Sequence, residues 1–539
     1  MKKQSILKRF AAVALSALIL LCSFSSCRGG SSGENIYWLL DSSPKNLDPQ
    51  TASQESELLI IKNCFAPLFE KDQNGEMFSS FVESYGVSPD GKRYVFNLYK
   101  DKVWSIYQSR KIETYAPLTA QDFKFAIERL FTDNKTADVM NILKNIKNAD
   151  KVLSGEAEIS KLGVSCPDDY TLEINLSQPT SSLLEAFTSH ELFPCNEEFF
   201  RSTSGRYGLS DDLIIFNGSF CLGAWGESSV KLIKNPNSPE KVSAAGVTLF
   251  LPKDTREAVK LLTSGDIDAA ELSSQKMDTL DTSAFNVTER TSVVWTLVLN
   301  ESDELWQNQN LRSALLSCTD RSIFKGGDSS HLTPANRIVS DSAVLGGEKY
   351  ESLTKGISAP AFNAEAAKAS YSLALTELEK TKIYNTLVLI VDSPLYKESF
   401  SALNQIYQRE LSLYFSAEYL SEAALLSRVK SGNFSAALVP LYVTADTPSV
   451  SLEYFLSGSQ SCIMPIANEE FVMSFTSVEA LSLSKESAES YGRAEKALYD
   501  SSLVNPLFYE SSYFVTSKSV SGFMQDSYGT VLFKNVVKK

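Results

Sequence analysis

The chain has 539 residues, which is too long for one ordinary hydrophobic core and predicts two or three domains. It is 43% hydrophobic and 22% charged, a composition that is typical of globular proteins and excludes a disordered or collagen-like chain. The formal net charge is −14, and no basic stripe with interleaved aromatic residues is present, so nucleic acid is not an expected partner.

The N-terminus has the pattern of a bacterial export signal. Four basic residues precede an apolar run from Phe10 to Cys22, which is shorter than the roughly 20 residues that a membrane-spanning helix needs. The triplet SSC that ends at Cys27 resembles a lipobox, although Phe24 stands where that motif usually has Leu. Residues 1–26 are predicted to be a signal peptide and 27–34 a tether lipidated at Cys27, with plain signal cleavage as the alternative.

After the signal, a strand is predicted from Asn35 and a helix from Ser56 to Phe69, and a hairpin follows. In SPDGKRYVFNLYKDKVWS, residues 88–105, a Pro-Asp-Gly turn precedes the alternating apolar residues Tyr94, Phe96 and Leu98. Turn chemistry followed by period-two alternation predicts two antiparallel strands. Residues 105–118, SIYQSRKIETYAPL, are predicted to form a polar and aromatic loop.

A helix is predicted directly after this loop. Thr119 is the expected N-cap, and Asp122 lies at the third helical position, where a carboxylate faces the positive end of the helix dipole. Phe123, Ile127 and Leu130 repeat at helical spacing and are the expected buried stripe.

The rest of the chain alternates strands and helices. DDYTLEINL at 168–176 predicts a turn and a strand, and TREAVKLLTSGDIDAAEL at 255–272 predicts a helix, a glycine turn and a strand. TSVVWTLVLN at 291–300 is a strongly β-branched strand, after which helices and short strands follow one another. This rhythm predicts a mixed α/β fold with a partly parallel sheet.

Patterns of catalytic and metal-binding residues are scarce. The two histidines, His190 and His331, lie in no zinc-protease motif, and no GxSxG elbow, Walker A loop or GxGxxG turn is present. Neither an enzyme, a metal site nor a cofactor is therefore expected, although a glycosidase-type carboxylate pair stays open. Six further cysteines form no CxxC pair, and their disulfide pairing stays open: Cys64, Cys166, Cys195, Cys221, Cys318 and Cys462.

A collinear series of short motifs runs along almost the whole chain after the signal. They are NLDP at 46–49, PLFEKDQNG at 67–75, the hairpin at 88–105, LTAQDFKFAIERL at 118–130, DDYTLEINL, NGSFCLGAW at 217–225, SGDID at 264–268, LNESDELWQNQNLRSALLSCTDR at 299–321 and VNPLFYESSYFV at 504–515. The series resembles the large extracytoplasmic solute-binding proteins of ABC importers, the oligopeptide-, dipeptide- and nickel-binding family 5. Each motif is weak alone, and the shared order carries the resemblance.

The resemblance implies a two-lobed periplasmic-binding-protein-like α/β fold with mixed sheets, a hinge and an additional small domain. The implied lobe I is discontinuous, the additional domain is continuous, and lobe II follows. Their expected bounds are 35–65, 196–293 and 508–539 for lobe I, 66–195 for the additional domain and 294–507 for lobe II. The expected mechanism is hinge closure around a solute, followed by docking on the transmembrane subunits of an ABC permease.

The resemblance also implies site residues. Peptide binders of the family hold the ligand as an added β-strand and bind its amine through an Asp in the motif W-x-x-D-x-x-x-P. Residues 434–448, FSAALVPLYVTADTP, align with it and place Leu441 at the Trp position and Thr444 at the Asp position. The amine anchor is therefore either displaced to Asp446 or missing. The expected ligand-binding residues are Ser53, Gln54, Glu55, Trp295, Tyr442, Thr444 and Asp446.

The sequence thus predicts a monomeric, membrane-anchored, extracytoplasmic lipoprotein that binds an oligopeptide. A receptor for peptide signals, a binder of a glycan-derived solute and a binder of a metal chelate stay open. The chelate is disfavoured because nickel prefers imidazole ligands and the chain has two histidines. An extracellular hydrolase is the alternative from another functional class.

Overall fold

The structure is a computed structural model that describes residues 34–71, 77–133, 139–180, 183–251, 257–324, 332–383, 386–459, 461–478, 484–526 and 529–539. The predicted signal peptide, Cys27 and His331 lie outside these residues. Strands of three or more residues are β1 (Ile36–Leu39), β2 (Phe69–Lys71), β3 (Met77–Ser79), β4 (Val82–Val87), β5 (Arg93–Leu98), β6 (Val103–Gln108), β7 (Lys111–Pro117), β8 (Val164–Asp168), β9 (Thr171–Asn175), β10 (Phe220–Trp225), β11 (Ser229–Lys234), β12 (Gly246–Phe250), β13 (Ala269–Ser273), β14 (Phe285–Leu299), β15 (Leu332–Pro334), β16 (Thr386–Val391), β17 (Phe415–Leu420), β18 (Ala436–Tyr442) and β19 (Val504–Ser517).

Helices of eight or more residues are α1 (Glu55–Cys64), α2 (Ala120–Thr132), α3 (Glu257–Ser264), α4 (Gln309–Ser317), α5 (Ala364–Glu377), α6 (Pro394–Leu411), α7 (Glu422–Lys430), α8 (Glu469–Ser477) and α9 (Ala488–Ser501). Shorter helices are Met140–Leu143, Ala149–Ser154, Leu183–Ala186, Glu197–Ser202, Ser274–Met277, Tyr350–Leu353 and Pro448–Leu452.

A large mixed sheet joins the two lobes. Its strand order is β10-β11-β12-β1-β13-β19-β14-β18-β16-β17, with β15 paired to β19. The pairs of β1 with β12 and of β16 with β18 are parallel, whereas β14 pairs antiparallel with both β18 and β19. The expected mixed α/β fold with a partly parallel sheet is therefore confirmed.

Two long strands, β14 and β19, run through both lobes. Their first and last halves pair with different neighbours, because β13 lies beside the end of β19 and β18 lies beside the end of β14. The register shifts between Thr291 and Val293, which leaves Ser292 as an extra residue at the point where the strands pass from one lobe to the other. A bulge increases local twist and bends a strand. The Ser292 hydroxyl donates to the Glu510 carbonyl at 3.0 Å.

The additional domain contains the hairpin and the helix that the sequence predicts. Strands β4 and β5 join through a turn at Gly91 with φ +69°, and Tyr94, Phe96 and Leu98 are buried. Helix α2 begins after Thr119, whose backbone N–H donates to the Asp122 carboxylate at 2.7 Å. Both predictions are confirmed.

The prediction of a loop at 105–118 is wrong. These residues belong to the hairpin of β6 and β7, which closes through Ser109 and Arg110 with φ of 49° and 63°. Such a two-residue turn with two positive φ angles normally contains Gly or Asn. Because both turn residues lack that signal, local chemistry did not indicate the hairpin.

The large sheet is continuous through both lobes, whereas the buried apolar residues form separate clusters. One buried cluster contains residues of both lobe I and the additional domain, from Ile36 through Phe96 to Phe533. A second cluster fills lobe II, between Val293 and Tyr509. Residues of the expected additional domain, 66–195, therefore share a buried cluster with residues of the expected lobe I, and a smaller third cluster lies within the expected lobe I, from Leu39 to Val515.

Candidate functional site

A cavity of about 590 Å³ lies where lobe I, the additional domain and lobe II meet. This volume is within the range of pockets that hold small ligands. The expected lobe I contributes residues of β1, α1 and the loop before α1, together with residues between 258 and 290 and 529–531. The expected additional domain contributes residues between 139 and 191, and the expected lobe II contributes residues between 444 and 475. The cavity is thus lined from three sides by segments that are far apart in sequence.

The loop that leads to α1 is held by a buried carboxylate. Glu57 is 3% exposed, and its two carboxylate oxygens accept backbone N–H bonds of 3.0 to 3.2 Å. The donors are the N–H groups of Lys45, Asn46, Ser53 and Gln54. Glu57 therefore fixes both ends of the loop beside the cavity, and the pattern Q-x-x-E at 54–57 is a sequence signal for it.

A buried ion pair explains two of the sequence motifs. Asp48 of NLDP binds Arg129 of α2, with 2.6 Å between carboxylate and guanidinium, and both residues are buried. The His190 Nδ1 lies 2.6 Å from the Pro49 carbonyl oxygen. Because a carbonyl only accepts hydrogen bonds, Nδ1 carries the proton and Nε2 is an acceptor in the neutral ring. The loop of lobe I is thereby bound to the additional domain.

The structure brings three of the seven predicted ligand-binding residues to the cavity wall. They are Ser53, Glu55 and Thr444. Gln54 lies between the first two, where its backbone N–H donates to Glu57 at 3.2 Å.

Trp295 and Tyr442 lie in a separate polar and aromatic cluster of lobe II. The Trp295 indole donates to the Glu510 carboxylate at 2.9 Å, and its ring centroid is 4.0 Å from that of Tyr396. The Tyr442 hydroxyl donates to the Glu422 carboxylate at 2.7 Å. In this cluster Trp295 is 2% exposed and Tyr442 is 39% exposed.

Asp446 points to a neighbouring loop. Its carboxylate accepts a hydrogen bond from the Ser342 hydroxyl at 2.6 Å, and its carbonyl accepts the Val344 N–H at 2.8 Å. The chain bends after β18. Thr444, Ala445 and Thr447 therefore line the cavity, whereas Asp446 does not.

Sequence reasoning missed most of the charged residues of the wall. The carboxylates are Asp41, Glu55, Glu185, Glu191, Glu271 and Glu453, and the basic side chains are Lys62, Lys276 and Arg290. No local pattern marks these residues, because tertiary contacts alone bring them together.

Two pKa shifts reflect this environment. Desolvation raises the pKa of Glu55, and the negative charges of Glu271 and Asp41 raise it further, against a smaller opposite effect of Arg290. Desolvation lowers the pKa of His190 from 6.5 to about 4, and the charge of Lys62 acts in the same direction. His190 is therefore neutral at physiological pH.

All six described cysteines are free thiols. No group of three or more His, Cys, Asp or Glu within the described ranges is arranged to hold a metal ion. No helix in the described part of the chain is long and apolar enough to cross a membrane.

Comparison with known proteins identifies relatives over most of the chain. Residues 77–461 match the profile of the bacterial extracellular solute-binding proteins, family 5 Middle. The oligopeptide-binding protein SarA of Streptococcus gordonii is 31% identical over 287 residues, which are 50% of this chain and 42% of SarA. This chain therefore spans less than half of SarA. The dipeptide-binding protein DppE of Bacillus subtilis is 21% identical over 93% of this chain and 92% of DppE.

Solved structures agree with the fold. The substrate-binding domain of an oligopeptide ABC transporter from Bacillus anthracis has a TM-score of 0.71 at 22% identity and covers 94% of this chain and 99% of its own. Listeria monocytogenes OppA bound to peptide has a TM-score of 0.71 at 20% identity, over 94% of this chain and all of the other. The two-lobed binding-protein fold is thereby confirmed. Because the family profile spans more than two thirds of the sequence, the chain belongs to the bacterial extracellular solute-binding proteins of family 5, which are binding proteins and not enzymes.

Proposed function

We propose that this protein captures short peptides in the cavity between its lobes and delivers them to the permease of an ABC importer. The observation that supports this proposal most is the cavity of about 590 Å³, lined by both lobes and the additional domain, in a family 5 fold. The relatives SarA and DppE are named as oligopeptide- and dipeptide-binding proteins.

The proposed contacts start from Ser53, Glu55 and Thr444, which line the cavity. Gln54, Trp295, Tyr442 and Asp446 belong to the proposed site as residues that approach the ligand when the lobes close. Closure bends β14 and β19 near Ser292, where the bulge weakens the regular pairing. Small-angle scattering would test this step, since an unchanged radius on ligand addition contradicts closure.

The proposal includes a lipid anchor at Cys27, supported by the lipobox-like sequence before it. The mature protein is then a monomer outside the cell membrane. Acyl chains on Cys27 hold it at the outer face of that membrane. Transfer of solute from this chain to the permease then needs diffusion in two dimensions only.

Mass spectrometry of the solutes released by mild unfolding of the purified mature protein tests the proposed function. A ladder of mixed short peptides supports a broad nutritional peptide binder. One defined peptide identifies a signal receptor, and a glycan-derived solute or a metal chelate contradicts the peptide proposal. Hydrolysis of an added peptide by the pure protein would also contradict it.

Asp446→Ala tests the proposed amine anchor. If Asp446 leaves Ser342 and binds the ligand amine in the closed form, the variant loses at least about tenfold in affinity for a free peptide, because a buried charged amine then lacks its partner. Titration calorimetry measures the change, with an N-acetylated copy of the same peptide as the control. Equal affinities of wild type and variant remove Asp446 from the site.

A further inference from the structure

The charge of the cavity wall indicates which peptides it takes. The wall carries six carboxylates and three basic side chains, so its acidic residues outnumber its basic ones by two to one. In the whole chain the excess is smaller, with 65 acidic and 51 basic residues. The wall is therefore more acidic than the protein around it.

The carboxylates reach the cavity from every part of the molecule. Asp41, Glu55 and Glu271 belong to lobe I, Glu185 and Glu191 to the additional domain, and Glu453 to lobe II. Glu185 and Glu453, from different parts of the chain, both line this cavity. A ligand in the cavity consequently has negative groups on several sides.

Two of the three basic side chains of the wall already form ion pairs within the protein. Lys62 forms an ion pair of 2.5 Å with Asp526, which lies outside the wall, whereas Arg290 forms one of 3.4 Å with Glu271 and so offsets one of the six wall carboxylates. The Glu55 carboxylate makes no hydrogen bond or ion pair with the described part of the chain and contacts the cavity directly. Its charge is thus available to a ligand.

We propose that this cavity selects peptides that carry positively charged side chains, with Glu55 as a specificity-determining residue. The inference rests on the proposed peptide-binding function and adds the ligand charge to it. A concave site of one sign with low-dielectric walls focuses its field and concentrates ligands of the opposite sign. A bound lysine or arginine side chain offsets the repulsion among Glu55, Glu271 and Asp41, whereas a ligand carboxylate increases it.

The test uses three synthetic peptides of the form Ala-Ala-X-Ala-Ala, with X as Lys, Gln or Glu. Titration calorimetry of the ligand-free mature protein is expected to give at least about tenfold tighter binding of the Lys peptide than of the Glu peptide. The preference is expected to shrink in high salt, because screening shortens the range of the field.

Two variants within the cavity change its charge in opposite directions. Glu55→Gln is expected to lower the Lys-over-Glu preference by about threefold or more, and Lys276→Gln is expected to raise it by a similar factor. Glu156→Gln removes one exposed carboxylate that does not line the cavity, and it is expected to leave the preference unchanged. A steric effect would not follow the sign of the charge.

Different failures have different meanings. Equal affinities for the three peptides, or a preference for the Glu peptide, overturn the charge selection and leave the peptide-binding function standing. A Lys preference that neither Glu55→Gln nor Lys276→Gln alters also overturns the inference. If none of the three peptides binds and the co-purified solute is not a peptide, both the proposed function and the inference are wrong.

Discussion

At the scale of single residues, the cavity and its surroundings hold titratable groups whose protonation is set by burial. His190 and Asp122 shift in opposite senses: the pKa of His190 falls to about 4 and that of Asp122 rises to about 6, in both cases mainly because burial penalises the charged form. The two shifts therefore oppose each other in the pH dependence of stability.

His190 is expected to lower the free energy of unfolding in acid. Its folded pKa of about 4 is below the unfolded value of 6.5, so the unfolded state binds the proton first as the pH falls. The stability that neutral His190 contributes is present above pH 6.5 and is lost as the pH falls toward 4, by at most about 3 kcal/mol.

Denaturant unfolding of wild type and His190→Gln at pH 7 and at pH 4.5 measures this effect. The wild type is expected to lose more stability than the variant between the two values. Asp122 acts in the opposite direction, but it is present in both proteins, so its contribution cancels. Parallel pH profiles of the two proteins would contradict the prediction.

At the scale of elements, the start of α1 is held by long-range as well as local bonds. Glu57 accepts four backbone N–H groups from two segments of the loop. In Glu57→Gln, two of these N–H groups lose a carboxylate oxygen and face an amide NH₂ instead. We expect a loss of at least about 2 kcal/mol in the free energy of unfolding.

The same change is expected to weaken ligand binding, because Ser53 and Glu55 lose their fixed position at the wall. Thr119→Ala is the matched control. It removes the N-cap side chain of α2, a helix whose residues do not line the cavity, and is expected to cost about 1 kcal/mol in stability without altering affinity. If Glu57→Gln destabilises the protein but binds peptide as the wild type does, the loop does not position the site.

At the scale of the whole molecule, one buried cluster joins residues of the expected additional domain and lobe I, a smaller one lies within the expected lobe I, and a third fills the expected lobe II. The cavity lies between the two lobes, and β14 and β19 connect them. The proposed closure bends this strand pair near Ser292, between the buried clusters.

The proposed attachment to the membrane also concerns the whole molecule. Cys27→Ser is expected to move the protein from the membrane fraction to the soluble fraction, because the acyl chains are then absent. Fractionation followed by immunodetection measures the shift, and the mass of the mature N-terminus identifies the lipid. Retention of Cys27→Ser in the membrane fraction would contradict lipidation at this residue.

Local patterns were sufficient for much of the fold. The hairpin at Gly91 and the helix capped by Thr119 follow from turn chemistry, alternation and capping, which act over a few neighbouring residues. The hairpin of β6 and β7 was not predicted, because Ser109 and Arg110 adopt positive φ angles at turn positions that Gly or Asn usually occupies. In that case tertiary packing overrides the local preference of the chain.

The sequence by itself determined the family and the alternation of strands and helices, and it singled out Ser53, Glu55 and Thr444, which line the cavity. Only the tertiary structure decided that Asp446 turns toward Ser342 and that Glu191, Glu271 and Glu453 share one cavity. The physical reason is range: secondary structure depends on neighbours within a few residues. The electrostatic field of a cavity depends on groups that folding brings together from opposite parts of the chain.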